Sequence, residues 1–300
     1  MLPVHTLNSG QQMPGIGLGT FQMKQVSGDD LVHRTIETAF QCGYRLIDTA
    51  AVYQNEANIG EALKKLLPKY SLSRSDIFIT SKLSPRDHGF ENTEKAFMKS
   101  LKALDCEYLD LYLIHWPGVQ KLKSDDPRNA ELRQESWKAL EKLYSTGLVK
   151  SIGVSNYTVD HLEELLQFST VMPAVLQVIF QGTSCCYLSD DSYVNLMIES
   201  RWPNLKPHIF IDVIFIINCS KLLEETTVRA LAAQHSKSTA QVLLKWALQH
   251  DVGVIPKSVK AQHIKDNIFL ADFHLSQLDM EALGRMHTNS RFCWDPTKVK

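Results

Sequence analysis

The chain has 300 residues, of which 44% are hydrophobic and 22% are charged, so it is long enough to bury a large core and has ordinary globular composition. A formal net charge of -1 argues against nucleic acid or an anionic membrane as the principal partner, because neither is attracted over the whole surface. No Pro-, Gly- or Ser-rich linker divides the sequence, which predicts a single domain over residues 1–300.

Short apolar runs alternate with amphipathic stretches after a hairpin-like start around Asn8-Ser9-Gly10. The apolar runs predict eight strands, at Gly15–Phe21, Tyr44–Thr49, Asp76–Lys82, Leu109–His115, Lys150–Ser155, Val175–Phe180, Ile209–Ile217 and Gly253–Pro256. Helical spacing with few breakers predicts helices at Asp30–Gln41, Asn55–Leu67, Asn92–Ala103, Glu131–Tyr144 and Thr239–Gln249.

This alternation predicts an α/β fold of parallel βαβ units, and eight such units close into a (β/α)8 TIM barrel, here with an amino-terminal β-hairpin. An open doubly wound sheet is the alternative. A nucleotide-binding sheet of that kind carries GxGxxG between its first strand and helix, whereas the glycines of Gly15–Gly19 have another spacing and no helix start follows them at once. Such glycines are typical of a closely packed strand, which favours the barrel.

The six cysteines are scattered, and neither a CxxC pair nor zinc-type histidine spacing occurs, which predicts free thiols and no metal site. Cys185 and Cys186 are expected to stay reduced, because adjacent cysteines bridge only with strain. The first ten residues resemble no secretory signal, and the longest apolar run is far shorter than the roughly 20 residues that cross a bilayer. We therefore expect a cytoplasmic protein with no membrane partner, and we expect a monomer.

Four polar residues stand where predicted strands end, namely Asp48, Lys82, His115 and Asn156, and Tyr53 follows the first of them. A carboxylate, an ammonium and an imidazole at successive strand ends indicate that one site is being assembled at the carboxyl face of the barrel. Each residue alone has an ordinary structural explanation, as a packing residue, a surface charge, a helix cap or a core histidine. Their joint position favours function.

Two long motifs carry a resemblance to a known family. Gly43–Ala50 (GYRLIDTA), followed by Glu56 and by Ile59-Gly60, and then Lys150–Tyr157 (KSIGVSNY) resemble the two signatures of the aldo-keto reductase superfamily, and the likeness extends over most of the chain. It implies a nicotinamide cofactor lying across the carboxyl ends of the strands. It also implies hydride transfer to a carbonyl carbon, whose oxygen then needs a proton.

The resemblance implies a role for each polar strand end. Tyr53 would be the acid, and Lys82 would stabilise the phenolate and lower the pKa of that phenol. Asp48 would supply the carboxylate that a buried lysine requires. His115 would orient the carbonyl by hydrogen bonding.

The family's cofactor positions also have counterparts in this chain. Residues at three strand ends would hold the nicotinamide carboxamide or the cofactor backbone, and VIPKSV, residues 254–259, resembles the segment that binds the adenosine phosphate of NADPH. The implied cofactor-binding set is Thr20, Ser155, Asn156, Gln177, Lys257, Ser258, Val259, His263 and Asn267.

One of these positions departs from the family pattern, because His263 stands where the family usually has arginine. Arginine is permanently charged and meets a phosphate with two parallel hydrogen bonds, whereas a neutral histidine offers one donor. We therefore expect NADPH as the cofactor with a reduced preference over NADH, which is the alternative cofactor.

Residues 179–220 are atypical, since the family's His-Pro motif, ring-stacking tyrosine and pyrophosphate loop are not identifiable there. One interpretation keeps a seventh strand at Ile209–Ile217, whose length and β-branched content are typical of a parallel core strand. The other is a product without a working cofactor cradle. The first is favoured, and Tyr187, Tyr193 and Phe215 stay open as residues that stack on the nicotinamide.

The predicted function is reduction of aldehydes or ketones. A short connection after the fourth strand, Gly118–Glu131, and a tail that ends soon after Trp294 favour small carbonyls such as oxoaldehydes, with Trp116 and Trp294 as apolar walls. A non-catalytic binding module on the same barrel is the alternative. A barrel hydrolase is disfavoured because neither GxSxG nor HExxH occurs.

Overall fold

A two-stranded hairpin and an eight-stranded parallel sheet make up the β-structure of this computed structural model, which describes residues 3–23, 30–180, 210–215, 220–286 and 296–300. The hairpin pairs β1 (Val4–Thr6) with antiparallel β2 (Gln12–Pro14). Its turn contains Gly10 at φ 83°, a left-handed conformation that glycine adopts without steric cost. The predicted amino-terminal hairpin is confirmed.

The parallel sheet contains one strand for each predicted apolar run. Its strands are β3 (Leu18–Gly19), β4 (Leu46–Asp48), β5 (Phe78–Leu83), β6 (Leu111–Ile114), β7 (Ile152–Ser155), β8 (Val175–Phe180), β9 (Phe210–Phe215) and β10 (Gly253–Val254), each paired with its neighbour in chain order. A parallel bridge joins Ile16 to Val254, and the Gly17 N–H donates to the Val254 carbonyl at 2.9 Å. The sheet therefore closes into a (β/α)8 barrel, and the doubly wound alternative is wrong.

The seventh barrel strand, β9, lies inside the atypical segment. It pairs with β8 from Val175–Phe210 to Phe180–Phe215 and with β10 through Asp212 and Val213. The predicted strand at Ile209–Ile217 is thus confirmed over 210–215. Of the proposed stacking residues, Tyr187, Tyr193 and the side chain of Phe215 lie outside the described part of the chain, as do Cys185 and Cys186.

The helices surround the sheet, and the five predicted ones are confirmed within three residues at each end. The described helices are α1 (Leu31–Gln41), α2 (Glu56–Lys69), α3 (Phe90–Ala103), α4 (Arg128–Ser145), α5 (Val159–Phe168), α6 (Ser220–Glu224), α7 (Thr226–Gln234), α8 (Thr239–Gln249), α9 (Ala261–Ile268) and α10 (Gln277–Gly284). Capping hydroxyls define several starts, as where Ser238 accepts the Gln241 N–H. Among the described helices, none is long and apolar enough to cross a membrane.

Side-chain alternation along the strands divides the core into two apolar layers. Leu46, Phe78, Leu111 and Val175 form an inner cluster. The neighbouring residues on the same strands, such as Ile47, Ile79, Tyr112 and Leu176, belong to a larger outer cluster that includes the helices. Since successive strand residues point to opposite faces, the inner cluster fills the barrel interior.

The two ends of the barrel interior differ in polarity. Leu7 and Met13 of the hairpin join the inner cluster, so apolar side chains fill the amino end. Asp48 on β4, Lys82 on β5 and Gln177 on β8 each follow an inner residue of the same strand by an even number of positions, so their side chains also point into the barrel. The polar residues therefore collect at the carboxyl end.

Gly153 of β7 tests the packing of the barrel wall. A Cβ at this position would lie 2.4 Å from the Val175 carbonyl oxygen and 2.8 Å from Cδ2 of Leu113. We expect Gly153→Ala to lower the free energy of unfolding by about 1–3 kcal/mol, because a paired backbone has little room to yield. Gly284→Ala, which meets no atom within 4 Å, is the control and should change it by less than about 1 kcal/mol. Urea denaturation followed by circular dichroism measures both, and equal stability of the variants would contradict the expectation.

Candidate active site

A fully buried ion pair forms the floor of the site. Lys82 is 0% exposed and Asp48 is 1% exposed. The Lys82 ammonium donates to Asp48 Oδ1 at 2.5 Å and to the Thr49 carbonyl at 2.8 Å, and Gln177 Nε2 donates to Asp48 Oδ2 at 3.0 Å. Additional hydrogen bonds of this kind are what make a buried ion pair tolerable. The structure therefore brings three of the predicted site residues together.

Thr20 attaches the loop after β3 to the same strand end. Its hydroxyl and its N–H both donate to the Asp48 carbonyl, at 2.9 and 3.0 Å. Asn55 Nδ2 in turn donates to the Thr20 carbonyl at 2.9 Å. No sequence pattern indicated a role for Asn55, yet its side chain joins two loops at the mouth of the barrel.

Tyr53 lies next to the ammonium of the ion pair. It ends a short 3-10 turn, Ala51–Tyr53, that follows β4. Lys82 Nζ is 5.1 Å from the centroid of the Tyr53 ring, and the His115 and Phe21 rings meet it edge-on at 5.6 and 5.1 Å. The phenol, the ammonium and the imidazole are thus neighbours, as the strand-end pattern predicts.

The pKa of Tyr53 corrects one expectation. Burial raises the pKa of the phenol well above 10.0 and the Asp48 carboxylate raises it further, whereas a lowering by Lys82 was expected. The Lys82 charge is paired with Asp48 at 2.5 Å, so little net positive charge acts on the ring, and burial removes the water that would solvate a phenolate. Tyr53 is therefore a neutral phenol and a hydrogen-bond donor.

His115 follows β6 and is held as a neutral imidazole. Burial lowers its pKa well below 6.5, and the nearby Lys82 ammonium lowers it further. Its Nδ1 is buried and has no hydrogen-bond partner within the described residues. Its carbonyl accepts from Asn156 Nδ2 at 2.9 Å. The backbone of His115 is thus fixed while one ring nitrogen has capacity for a further hydrogen bond.

His88 contacts the backbone directly after His115, at the end of β6. The Trp116 ring stacks on His115 at 6.4 Å, and the Trp116 carbonyl lies 3.1 Å from His88 Nε2. Because a carbonyl only accepts, Nε2 carries the His88 proton, and Nδ1 lies 3.2 Å from the Ser136 hydroxyl. The surrounding SPRDHGF is typical of an exposed loop, so nothing in the sequence indicated that His88 is buried. Trp294, the second predicted wall, lies outside the described residues.

The ends of β7 and β8 contribute a hydroxyl and two carboxamides. Ser155, Asn156 and Gln177 are buried. Asn156 has φ 61°, a left-handed conformation that asparagine tolerates better than most residues. Its Nδ2 donates to Ser155 Oγ at 3.0 Å. This set of donors and acceptors fits a buried carboxamide.

A second group of predicted residues lies along α9 and in the loop before it. Lys257 and Ser258 are half-buried, Val259 and His263 are exposed, and Asn267 is buried. The helix begins after Lys260 without a side-chain cap, so its first N–H groups have no capping side chain. Uncapped N–H groups beside a lysine and a serine fit an anionic group such as a phosphate. Across the described ranges, no three His, Cys, Asp or Glu side chains converge as metal ligands.

Sequence comparison places these residues among known proteins. Residues 15–184 and 195–287 match the profile of the Aldo/keto reductase family. The match thus resumes inside the atypical segment 179–220. Glyoxal reductase from Bacillus subtilis (strain 168) is 38% identical over 294 residues, which cover 98% of this chain and 96% of that protein.

Solved structures resemble the whole barrel. MGS-M4, an aldo-keto reductase enzyme from a Medee basin deep-sea metagenome library, superposes with a TM-score of 0.84 at 31% identity over 99% of each chain. A Bombyx mori aldo-keto reductase in complex with NADP has a TM-score of 0.82 at 28% identity, covering 97% of this chain and 94% of that one.

The pKa of His88 predicts a pH dependence of stability. Burial lowers it to about 4 from 6.5, so the unfolded chain takes up this proton first, and stability that is complete above pH 6.5 is lost as the pH falls towards 4. His88→Gln keeps an N–H donor without a titrating ring. Between pH 7 and pH 5 the wild type should lose about 2 kcal/mol more unfolding free energy than this variant. Urea denaturation at the two pH values measures these losses, and an equal loss of unfolding free energy in wild type and variant would contradict the assignment.

Proposed function

The chain belongs to the aldo-keto reductase family, and from this premise we propose that it reduces small aldehydes and ketones to alcohols, with NADPH as cofactor and Tyr53 as the proton donor. The observation that carries the proposal is a neutral phenol lying over a buried Lys82–Asp48 pair and beside the neutral ring of His115. Glyoxal is a small dicarbonyl, so the similarity to a glyoxal reductase supports oxoaldehydes as substrates.

Bound nicotinamide cofactor supplies the hydride that the carbonyl carbon accepts. The substrate oxygen then gains negative charge and takes a proton from the Tyr53 hydroxyl, because an alkoxide is a stronger base than a phenolate. The Lys82 ammonium, 5.1 Å from the ring centroid, attracts the phenolate that remains, although burial and Asp48 outweigh this attraction before the reaction. Asp48 and the Thr49 carbonyl hold the ammonium in place during this change, at 2.5 and 2.8 Å.

His115 orients the substrate in this proposal. A neutral imidazole donates from one ring nitrogen and keeps the other as an acceptor, and Nδ1 has no partner among the described side chains. A hydrogen bond from this ring to the carbonyl oxygen directs that oxygen towards the Tyr53 hydroxyl. Trp116, which stacks on His115, supplies an apolar wall.

The cofactor is assigned to the two polar groups of residues. Thr20, Ser155, Asn156 and Gln177 hold the nicotinamide end, whose carboxamide needs both donors and acceptors. The uncapped start of α9 receives the adenosine phosphate, and the NADP complex of the Bombyx mori relative supports a cofactor of this class. The phosphate-binding residues are Lys257, Ser258, Val259, His263 and Asn267.

Tyr53→Phe tests the proton donor. We expect kcat for a small oxoaldehyde to fall by about 10²–10⁴-fold, the range that a general acid contributes. Tyr112→Phe is the matched control, because Tyr112 is also buried but belongs to the outer layer of the core. The measurement is steady-state consumption of NADPH by the three proteins.

Two outcomes count against the proposal in different ways. Equal rates for wild type and Tyr53→Phe reject Tyr53 as the acid. An inactive wild type whose tryptophan fluorescence shows no saturable change with NADPH favours the non-catalytic binding module instead.

His263→Arg tests cofactor preference. Two charge-assisted hydrogen bonds to the phosphate should raise the ratio of NADPH to NADH affinity at pH 8 by about tenfold or more, since about 1.4 kcal/mol is one decade. His274→Arg, an exposed position between α9 and α10, adds the same charge elsewhere and should leave the ratio unchanged. Fluorescence titration with both cofactors measures it. A wild type that already binds NADPH far more tightly than NADH would contradict the role given to His263.

A further inference from the structure

A second buried carboxyl lies next to the site without being part of it. Glu56 is 8% exposed and is the first residue of α2. Its Oε1 accepts a hydrogen bond of 2.6 Å from the hydroxyl of Ser81, which is fully buried on β5. Ser81 directly precedes Lys82, and alternation turns Ser81 towards the helices while Lys82 points into the barrel. Glu56 therefore contacts the strand that presents Lys82 from its outer side.

The segment that carries Tyr53 is connected directly to Glu56. Tyr53 ends its 3-10 turn, Gln54 follows with φ 58°, and α2 begins two residues later. Asn55 attaches this segment to β4, because its Oδ1 accepts from the Thr49 hydroxyl at 2.8 Å. Consecutive side chains thus bind opposite neighbours, with Asn55 on the β4 side and Glu56 on the β5 side.

The ammonium is positioned independently of this segment. Lys82 Nζ is held by Asp48 and by the Thr49 carbonyl, both at the end of β4. Tyr53, in contrast, lies three residues before the first residue of α2, so the distance of the phenol from the ammonium depends on where α2 begins. A displacement of about 1 Å between reacting groups can cost about 10²-fold in rate, so the attachment of α2 to β5 matters for proton transfer.

We propose that Glu56 is a positioning residue whose hydrogen bond with Ser81 sets Tyr53 at its working distance from Lys82. The inference rests on the proposed function of Tyr53. Burial raises the pKa of Glu56 against the lowering effect of the Ser81 hydrogen bond. The relevant feature is the acceptor oxygen, which glutamine reproduces with the same reach and without the charge.

Four variants test the attachment. We expect Glu56→Ala and Ser81→Ala each to lower kcat at least tenfold with KM changed less than about threefold, and the double variant to be no slower than either single one. Glu56→Gln should keep kcat within about threefold of wild type. Ser151→Ala is the matched control, because it removes one hydrogen bond of a buried serine, to Ser9 at 2.7 Å, just before the start of β7 at the other end of the barrel.

Amide hydrogen exchange supplies a readout that does not need a turning-over enzyme. The Tyr53 N–H donates to the Ala50 carbonyl at 2.9 Å, and the peptide spanning residues 51–57 should exchange faster in Glu56→Ala and in Ser81→Ala. The same peptide should exchange at the wild-type rate in Glu56→Gln and Ser151→Ala.

The outcomes separate this inference from the proposed function. If the wild type reduces no carbonyl, the proposed function fails, and the exchange pattern alone decides whether Glu56 positions the turn. Wild-type kcat in Glu56→Ala, equal losses in Glu56→Gln and Glu56→Ala, or an equal loss in Ser151→Ala would each overturn the inference.

Discussion

An ammonium with no exposed surface requires a carboxylate at hydrogen-bonding distance, and the mouth of this barrel is arranged around that requirement. Lys82 on β5 and Asp48 on β4 meet at 2.5 Å, and Gln177 on β8 engages the second carboxylate oxygen from across the interior. Removing either charge would leave the other buried and unpaired. Three strands are thereby cross-linked at one level of the barrel, and Thr20 adds the end of β3 through the Asp48 carbonyl.

The same pair determines the electrostatics of the aromatic groups above it. Burial dominates the pKa of Tyr53 and Asp48 adds to it, so the phenol stays protonated, whereas at His115 the Lys82 ammonium adds to the effect of burial and keeps the imidazole neutral. Both rings are therefore uncharged and can form hydrogen bonds. In the proposed mechanism the ammonium attracts the negative charge that develops on the phenol, and it is already in place and needs no rearrangement.

Much of the architecture follows from the sequence because strands and helices have distinct apolar periods. All eight barrel strands appear where apolar runs predict them, including β9 in the atypical segment. The closure of the barrel was an inference from the number of units, since Ile16 and Val254 are far apart in sequence and only the structure pairs them. The shift of the Tyr53 pKa was predicted with the wrong sign, although the pairing of Lys82 with Asp48 was expected, because the sequence does not show how deeply the phenol is buried. His88 and Asn55 escaped notice because polar residues in loops carry no signal of burial.

The hairpin has a consequence for the order of events. Leu7 and Met13 join the inner cluster at the amino end, so among the described residues that end is filled by apolar side chains and the polar groups face the opposite, carboxyl end. If two ligands enter from that end, they bind in sequence, and the more deeply bound one arrives first and leaves last. The dissociation rate of that deeper molecule is then an upper limit on turnover, however fast the chemical step is.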